Sequence, residues 1–343
     1  MRYRLLGPSG LRVSDLFLGA MLFGEPYTDA TDVAKLIEAY AEAGGNVIDT
    51  ANLYPGDGAS ERVLGEVLGA DRDRFVLATK YTLSLDRSDP NASGNHRKSL
   101  VRSVERSLTS LKTDYVDLLW VHVWDPHTPI EETMRALDDV VRAGKVLYVG
   151  ISDAPGWVVS RANAIAELRG WSAFVGLQVP YSLVQRDVER DLLPMAGALG
   201  LSVAAWSPQG GGVLSGKYTR GGVVGPSRLD SADISVRDLR IAREVDAVAD
   251  ELGATSAQVA LAWTMARDTG AAVHPIVGVR RLDQLTDNLA AADLVLPGEA
   301  VERLDEVSAI ELGFPLDFLA STKDYAFGEA GRRVRPRPPA AAR

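Results

Sequence analysis

The sequence of 343 residues contains no cysteine and only four histidines. The absence of thiols excludes disulfides, thiolate zinc sites, iron–sulfur clusters and cysteine nucleophiles. The histidines also lack the spacing of a zinc motif, because His122 and His127 are five positions apart and His96 and His274 lie far from both. We therefore expect no metal site.

Positive charge and long apolar runs are also scarce. Lysine and arginine number 37 against 46 acidic residues, which gives a net charge of −9. Such a chain repels phosphate backbones and anionic lipid, so we expect neither a nucleic acid nor a membrane as partner. No run of 18 apolar residues occurs, and Arg4, Gly7 and Pro8 interrupt the first segment before a signal-peptide core forms. The sequence predicts a soluble, cytoplasmic protein.

Short β-rich segments alternate with helical patterns through most of the chain. After the first segment, apolar residues at helical spacing from Val33 to Ala41 predict a helix that ends at Gly44-Gly45. The eight segments predicted as strands are Leu16–Ala20, Asn46–Asp49, Phe75–Thr79, Val116–His122, Val146–Ile151, Val175–Gln178, Leu201–Ala205 and Val273–Val277.

The segment after the fourth predicted strand carries a signal for a helix start. Thr128 and Glu131 have the spacing of a capping box, and Pro129 takes the first helical position. Before that strand, an apolar stripe from Leu100 to Leu111 predicts another helix. Strand–helix units form parallel sheets through right-handed crossovers, and eight of them close most naturally into a barrel.

An open, doubly wound sheet is the alternative arrangement, and it binds dinucleotides through G-x-G-x-x-G in its first strand–helix turn. That fingerprint is missing, and the glycine clusters at 210–212 and 221–222 come only after the seventh predicted strand. The sequence therefore predicts the α/β class, with a (β/α)8 TIM barrel.

Two segments lie outside the repeating pattern. Arg2–Val13 has the pattern of a β-hairpin that turns at residues 7–10 and could close the bottom of the barrel. The carboxyl-terminal extension, Gly328–Arg343, is rich in proline and arginine and cannot bury a core. We therefore expect one barrel domain at residues 1–327 and a flexible tail at residues 328–343.

Ionisable side chains stand at the ends of consecutive predicted strands. Asp49 ends the second strand and Tyr54 follows it, Lys80 ends the third, and His122 ends the fourth. Active sites of such barrels lie at the carboxyl ends of the strands, so these side chains are expected to meet. Each residue alone also fits an ordinary role, as a cap, a surface lysine, a packed aromatic or a core histidine.

Together the four residues suggest acid–base chemistry. Asp49 would keep a buried Lys80 protonated. That positive charge would stabilise a neighbouring phenolate, so that Tyr54 could donate a proton near neutral pH. His122 could donate a hydrogen bond to a substrate carbonyl oxygen and stabilise the negative charge that develops there.

Seven segments in this order carry a family resemblance: NVIDTANLYPGDGASERVLGEVL, ATK, SLTSLKTDYVDLLWVH, GKVLYVGISD, LQVPYSL, AWSPQGGGVLSGKY and PIVGVRRLDQLTDNL. From Gly19 to about Ile310 the chain resembles the aldo-keto reductase superfamily. The motifs are closer to its aryl-alcohol-dehydrogenase and potassium-channel β-subunit branch than to its aldose-reductase branch. The resemblance implies a catalytic tetrad that consists of Asp49, Tyr54, Lys80 and His122.

The resemblance also implies NADP(H) bound in an extended form across the barrel mouth. The positions that hold the nicotinamide amide are occupied by Ser152, Asp153 and Gln178. The position of the aromatic ring that stacks on the nicotinamide is occupied by Trp206. Asp153 departs from the asparagine common in the family, although a carboxylate also accepts a bond from an amide NH2. The other positions implied for the cofactor are Gly19, Ala20, Met21, Ser207, Gly210, Gly211, Gly212, Leu214, Ser215, Lys217, Gly278, Arg280, Gln284, Asp287 and Asn288.

The sequence thus predicts an enzyme that reduces an aldehyde or ketone to the alcohol with NADPH. Arg280 or Arg281 could clamp the 2′-phosphate, which favours NADPH over NADH. An NADPH-binding redox sensor or regulatory subunit with slow turnover is the alternative. A barrel glycosidase with a carboxylate pair does not account for Lys80 together with Tyr54.

The partner is expected to be a small carbonyl or alcohol, selected by the loops at Tyr81–Asn95 and Tyr218–Ser235. The aromatic residues after the strand ends could line a pocket for it, although simple packing accounts for them equally well. An oligomer interface cannot be delimited from the sequence. The aromatic residues in question are Phe23, Tyr27, Tyr81 and Trp124.

Overall fold

The computed structural model of the protein describes residues 1–84, 86–221, 230–267, 269–331 and 333–334. The chain opens with two antiparallel strands, β1 (Tyr3–Leu5) and β2 (Arg12–Ser14), with Tyr3 opposite Ser14. The predicted amino-terminal hairpin is confirmed.

Eight parallel strands then form a closed barrel, in which the last strand, β10, pairs with both β3 and β9. This confirms the predicted (β/α)8 fold, and every predicted strand end lies within two residues of the observed one. The barrel strands are β3 (Phe17–Gly19), β4 (Val47–Asp49), β5 (Val76–Tyr81), β6 (Val116–Val121), β7 (Val146–Ser152), β8 (Phe174–Pro180), β9 (Ser202–Trp206) and β10 (Val273–Gly278).

Helices surround the barrel, and none in the described part of the chain is long and apolar enough to cross a membrane. Short 3-10 segments occur at Gly69–Arg74, Asp187–Glu189, Gly210–Ser215 and Ser231–Asp233. The helices are α1 (Ala30–Glu42), α2 (Ala59–Val67), α3 (Arg97–Leu111), α4 (Ile130–Arg142), α5 (Gly156–Arg169), α6 (Leu192–Leu199), α7 (Val236–Leu252), α8 (Ser256–Ala266), α9 (Leu282–Ala290), α10 (Gly298–Val307) and α11 (Leu316–Gly331).

Helix α1 forms as its pattern predicts. Its apolar stripe from Val33 to Ala41 is buried, and the Asp29 side chain accepts a hydrogen bond from the Asp32 backbone N–H at 2.9 Å. This bond satisfies one of the backbone donors that a helix start leaves without an intrahelical partner.

The capping box predicted at α4 is wrong. Pro129 occupies the cap position itself, so Thr128 lies one residue too early to cap the helix. The Thr128 hydroxyl instead donates to Asp125 Oδ2 at 2.5 Å, and Glu131 forms an ion pair with Arg161. A complete capping box occurs at α8, between Thr255 and Gln258.

The hairpin closes the amino end of the barrel. Leu6 and Val13 belong to the apolar cluster that fills the barrel interior around Trp120. Gly7, at a φ of +53°, donates its N–H to Ser202 Oγ at 2.8 Å, and a Cβ there would lie 2.0 Å from the Val175 carbonyl oxygen. A larger residue at this turn would therefore push the hairpin away from β8 and β9.

The carboxyl-terminal helix α11 buries none of its residues. The predicted boundary between barrel and tail falls inside it, at Gly328, where the backbone leaves the helical conformation. Residue 332 and residues 335–343 lie outside the described residues, so the flexible tail stays a prediction.

Candidate active site

The carboxyl end of the barrel opens into a cavity of about 890 Å³. Side chains alternate along a strand, so residues two positions apart point to the same face. Six barrel strands carry a site residue two positions beyond a member of the interior cluster, which places the site directly above the apolar core. These pairs are Phe17 with Gly19, Val47 with Asp49, Ala78 with Lys80, Trp120 with His122, Ala204 with Trp206, and Ile276 with Gly278.

Lys80 and Asp49 form a buried ion pair beside this cavity. Lys80 is 1% exposed, and its Nζ donates to Asp49 Oδ2 at 2.5 Å and to the Thr50 carbonyl oxygen at 2.8 Å. Gln178 Nε2 donates to the other Asp49 oxygen at 3.0 Å. Burial alone would lower the pKa of Lys80, but the negative charge of Asp49 and the hydrogen bonds to Asp49 and Tyr54 outweigh it and raise that pKa. Lys80 is therefore a fixed positive charge.

Tyr54 stands in the loop after β4, against this charge. Its ring centroid lies 4.9 Å from Lys80 Nζ, and its hydroxyl lies 3.4 Å from His122 Nε2. The Tyr54 and His122 rings meet edge to face, with centroids 5.8 Å apart. Backbone bonds from Tyr54 N to Ala51 O and from Ser60 N to Tyr54 O hold the loop in place. The four side chains expected from the strand ends therefore form one cluster.

His122 is neutral. Burial, with a further contribution from the charge of Lys80, lowers the pKa of His122 to about 3. Its Nδ1 is buried and has no hydrogen-bond partner among the described residues, while Nε2 faces Tyr54. A neutral imidazole can carry its proton on either nitrogen, so Nε2 can serve as donor or acceptor.

Trp206, Asp153 and Ser152 continue the wall of the cavity. Trp206 is 38% exposed, and its indole Nε1 donates to Asp153 Oδ1 at 3.2 Å. Asp153 has a φ of +45°, and its backbone N–H donates to the Gln178 carbonyl oxygen at 3.2 Å. The Ser152 side chain lies buried next to them.

The glycine-rich segment Gly210–Ser215 forms the next part of the wall. Gly212 has a φ of +99°, and a Cβ at this residue would lie 2.6 Å from Lys217 Nζ. A side chain here would displace the lysine and strain the backbone. The segment thus presents backbone groups and a cation to the cavity together.

The outer end of the cavity contains two arginines in different surroundings. Arg281 donates from two nitrogens to the Asp283 carboxylate, both bonds being 2.9 Å long. The guanidinium carbon of Arg280 lies 5.0 Å from the Tyr27 ring centroid. Within the described part of the chain no carboxylate pairs with Arg280, so its charge can meet an anion, whereas the Asp283 carboxylate already pairs with Arg281.

Most of the residues predicted for the site line the cavity. Four do not: Lys80 lies behind Asp49, Ala20 and Leu214 are buried in the core, and Gly210 lies outside the lining. The predicted residues that do line it are Gly19, Met21, Asp49, Tyr54, His122, Ser152, Asp153, Gln178, Trp206, Ser207, Gly211, Gly212, Ser215, Lys217, Gly278, Arg280, Gln284, Asp287 and Asn288.

Several lining residues were not predicted. Gln209, whose Nε2 donates to Asn288 Oδ1 at 2.8 Å, lies between the predicted positions Ser207 and Gly210 and could have been included with them. Ala257 is the second residue of α8 and has no sequence signal, because only the fold brings it to the cavity. The full set is Leu22, Pro208, Gln209, Ala257, Ile276, Val277 and Val279.

The aromatic residues expected near the strand ends divide into two groups. Phe23 and Tyr81 are fully buried in the core, so packing explains them and the pocket interpretation is wrong for both. Tyr27 is exposed beside Arg280, and Trp124 meets Trp157 edge to face at 5.7 Å. Among the described residues, no group of three or more histidine, aspartate or glutamate side chains is placed to hold a metal ion.

Comparison with known proteins identifies the family of the chain. A model of the aldo/keto reductase family matches residues 15–309. Norsolorinic acid reductase A from Aspergillus parasiticus is 37% identical over 95% of this chain and 86% of its own. An aryl-alcohol dehydrogenase [NADP(+)] from Phanerodontia chrysosporium is 37% identical over 94% of this chain and 90% of its own. The chain belongs to the aldo-keto reductase family.

Proposed function

We propose that the protein is an NADPH-dependent oxidoreductase that reduces an aldehyde or ketone to the alcohol, with Tyr54 as general acid. The observation that carries this proposal is the buried cluster at the inner end of the cavity. There the Tyr54 hydroxyl lies 3.4 Å from His122 Nε2, and the Tyr54 ring lies 4.9 Å from Lys80 Nζ.

Each residue of the cluster has a distinct part. Bound NADPH supplies the hydride. Tyr54 donates its hydroxyl proton to the carbonyl oxygen, and the neighbouring positive charge of Lys80 stabilises the phenolate that remains. Asp49 keeps Lys80 charged, and Gln178 fixes the Asp49 carboxylate. Neutral His122 donates from Nε2 to the carbonyl oxygen and orients it.

The rest of the cavity fits the proposed cofactor. Gly278 lines the wall, and a Cβ there would meet nothing within 4 Å, so a ligand can approach the backbone closely. Gly212 and Lys217 offer backbone and charge to a pyrophosphate. Arg280, rather than the paired Arg281, would hold a 2′-phosphate. The relative named aryl-alcohol dehydrogenase [NADP(+)] supports the same preference.

Aromatic carbonyl compounds are the proposed substrates. Two relatives are named for aryl alcohols and for norsolorinic acid, and the exposed face of Trp206 offers an aromatic surface in the cavity. The loops expected to select the substrate include Leu85 and residues 222–229, which lie outside the described residues.

The test compares Tyr54→Phe with the wild type by NADPH oxidation over aromatic aldehydes, aliphatic aldehydes, dicarbonyls and quinones. The variant keeps the ring but loses the proton, so kcat should fall about 100-fold or more while the Kd for NADPH changes little. Fluorescence titration measures that Kd. Tyr27→Phe, an exposed tyrosine at the outer end, is the matched control and should keep its kcat.

Near-wild-type kcat in Tyr54→Phe would refute the assignment of the acid. A wild-type protein that binds NADPH tightly and reduces no compound in the panel would instead favour the redox sensor. The two outcomes differ in the wild-type rate, so one set of assays distinguishes them.

A further inference from the structure

Asp153 holds a carboxylate at the inner end of the cavity in a fixed position. Its backbone is anchored on both sides, since its N–H donates to the Gln178 carbonyl at 3.2 Å and its carbonyl accepts from Trp124 N at 3.5 Å. The φ of +45° is a conformation that residues other than glycine, asparagine and aspartate rarely adopt. The main chain thus determines where the carboxylate lies.

The side chain of Asp153 is tied to Trp206. Its Oδ1 accepts the indole N–H at 3.2 Å, which fixes the plane of the ring that is exposed in the cavity. The carboxylate therefore sits at the edge of the aromatic surface on which, under the proposed function, the nicotinamide would lie. Tyr54 and His122 line the same cavity, as proton donation next to that ring requires.

Among the described residues, the Asp153 carboxylate at the inner end of the cavity forms no ion pair. Lys80 is already paired with Asp49 at 2.5 Å, and His122 is neutral. Burial raises the pKa of Asp153, while the Trp206 hydrogen bond and the charge of Lys80 oppose that rise. The ionised form is the one that accepts most strongly from the indole N–H.

We propose that the Asp153 carboxylate makes this site prefer the oxidised cofactor to the reduced one, an inference that rests on the proposed function. The nicotinamide ring is cationic in NADP+ and neutral in NADPH, whereas the phosphates and ribose are the same in both. A carboxylate beside the ring therefore attracts only the oxidised form. At protein dielectric constants, opposite charges several ångströms apart change an affinity by about 10-fold or more.

The preference shifts the equilibrium on the protein toward carbonyl reduction, because tighter binding of NADP+ stabilises the product side of that reaction. In that direction the carbonyl carbon accepts a hydride from NADPH and the carbonyl oxygen accepts a proton, so carbonyl compound, NADPH and a proton become alcohol and NADP+. The equilibrium between bound species differs from that in solution by the ratio of the cofactor affinities. Asp153 is thus a specificity-determining residue for the redox state of the cofactor.

The test is titration of NADP+ and NADPH separately into the wild type and Asp153→Asn, with binding followed by calorimetry. Asparagine has the same shape, tolerates the positive φ and can still accept from Trp206. The ratio of the NADPH Kd to the NADP+ Kd should fall about 10-fold in the variant. Thermal unfolding checks that both proteins are folded.

Asp283→Asn is the matched control, because it removes a carboxylate at the outer end, beside Arg281. That change alters the surroundings of phosphates common to both forms, so the ratio should stay at its wild-type value. An unchanged ratio in Asp153→Asn, with both forms still bound, overturns the inference and leaves the proposed function standing. A folded wild-type protein that binds neither form overturns both.

Discussion

Each end of the barrel buries a histidine, and only one of the two faces a cavity. At the amino end, His274 of β10 is fully buried, with Nδ1 3.0 Å from the Ser14 carbonyl oxygen and its ring stacked on Phe17 at 4.8 Å. At the carboxyl end, His122 lines the cavity beside Tyr54. Burial lowers the pKa of His274 to about 4 and that of His122 to about 3.

The difference lies in what the polar atoms face. At the amino end, the Tyr40 hydroxyl lies 2.9 Å from Ser14 Oγ, donates to the Leu16 carbonyl and accepts from Val47 N, so these groups tie the hairpin to the strands. At the carboxyl end, Tyr54 and His122 line a cavity that a substrate could fill. A buried polar side chain therefore marks a site only where a cavity adjoins it.

The largest expected effect comes from Lys80→Met at the carboxyl end. The change removes the charge beside Tyr54, so kcat should fall about 100-fold or more. It also leaves the buried Asp49 carboxylate without its cation, which should lower the free energy of unfolding by about 3–5 kcal/mol. Steady-state rates and urea denaturation measure the two effects.

The double variant Lys80→Met/Asp49→Asn separates those effects. It removes the unpaired charge, so part of the lost stability should return while turnover stays low. Wild-type turnover in the single variant would contradict the role given to Lys80. A double variant no more stable than the single one would contradict the ion pair as the source of the instability.

A smaller effect is expected at the outer end of the same cavity, from Arg280→Ala. Loss of a charged phosphate contact usually costs about 1.5–3 kcal/mol, so the Kd for NADPH should rise about 10- to 100-fold. The Kd for NADH should change little, because NADH lacks the 2′-phosphate. Arg281→Ala is the matched control and should have a minor effect, since Asp283 already binds that guanidinium. A larger rise of the NADPH Kd in Arg281→Ala than in Arg280→Ala would contradict the assignment of the 2′-phosphate to Arg280.

Much of the carboxyl end could be predicted from the sequence because strand alternation is regular. Once eight strands are recognised, a polar residue at the end of each must point above the core, as Asp49 and His122 do. The cap at α4 could not be predicted in the same way. Asp125 is the nearer partner for the Thr128 hydroxyl, and only the folded loop brings the two together.

Contacts between distant segments also escape sequence reading. The pairing of Arg281 with Asp283 is local, but the contact of Arg280 with Tyr27 joins residues from opposite ends of the chain. Phe23 follows a strand end just as Tyr54 does, yet it turns into the core, whereas Tyr81 is the last residue of β5 and alternation points it to the face opposite Lys80. The side to which a loop residue turns depends on the packing of the whole loop, which no periodicity describes.

The smallest effect at neutral pH is expected at the amino end, from His274→Asn. Asparagine places an amide nitrogen near the imidazole Nδ1 position and can keep the bond to the Ser14 carbonyl, but it does not titrate. His274 lies away from the cavity, so kcat at pH 7.5 should stay close to the wild-type value. The two proteins should instead differ in how the free energy of unfolding changes as the pH is lowered.

The sign of that dependence follows from the pKa of His274, about 4 in the folded protein, against about 6.5 for an unfolded chain. Between these values the unfolded chain binds a proton that the folded one does not, so the wild type loses stability as pH falls. At pH 5 this loss amounts to about 2 kcal/mol, and His274→Asn should not show it. His122 contributes equally to both proteins, so the comparison isolates His274. If the free energy of unfolding fell by the same amount in the wild type and in His274→Asn between pH 7.5 and 5, that result would contradict a neutral, buried His274.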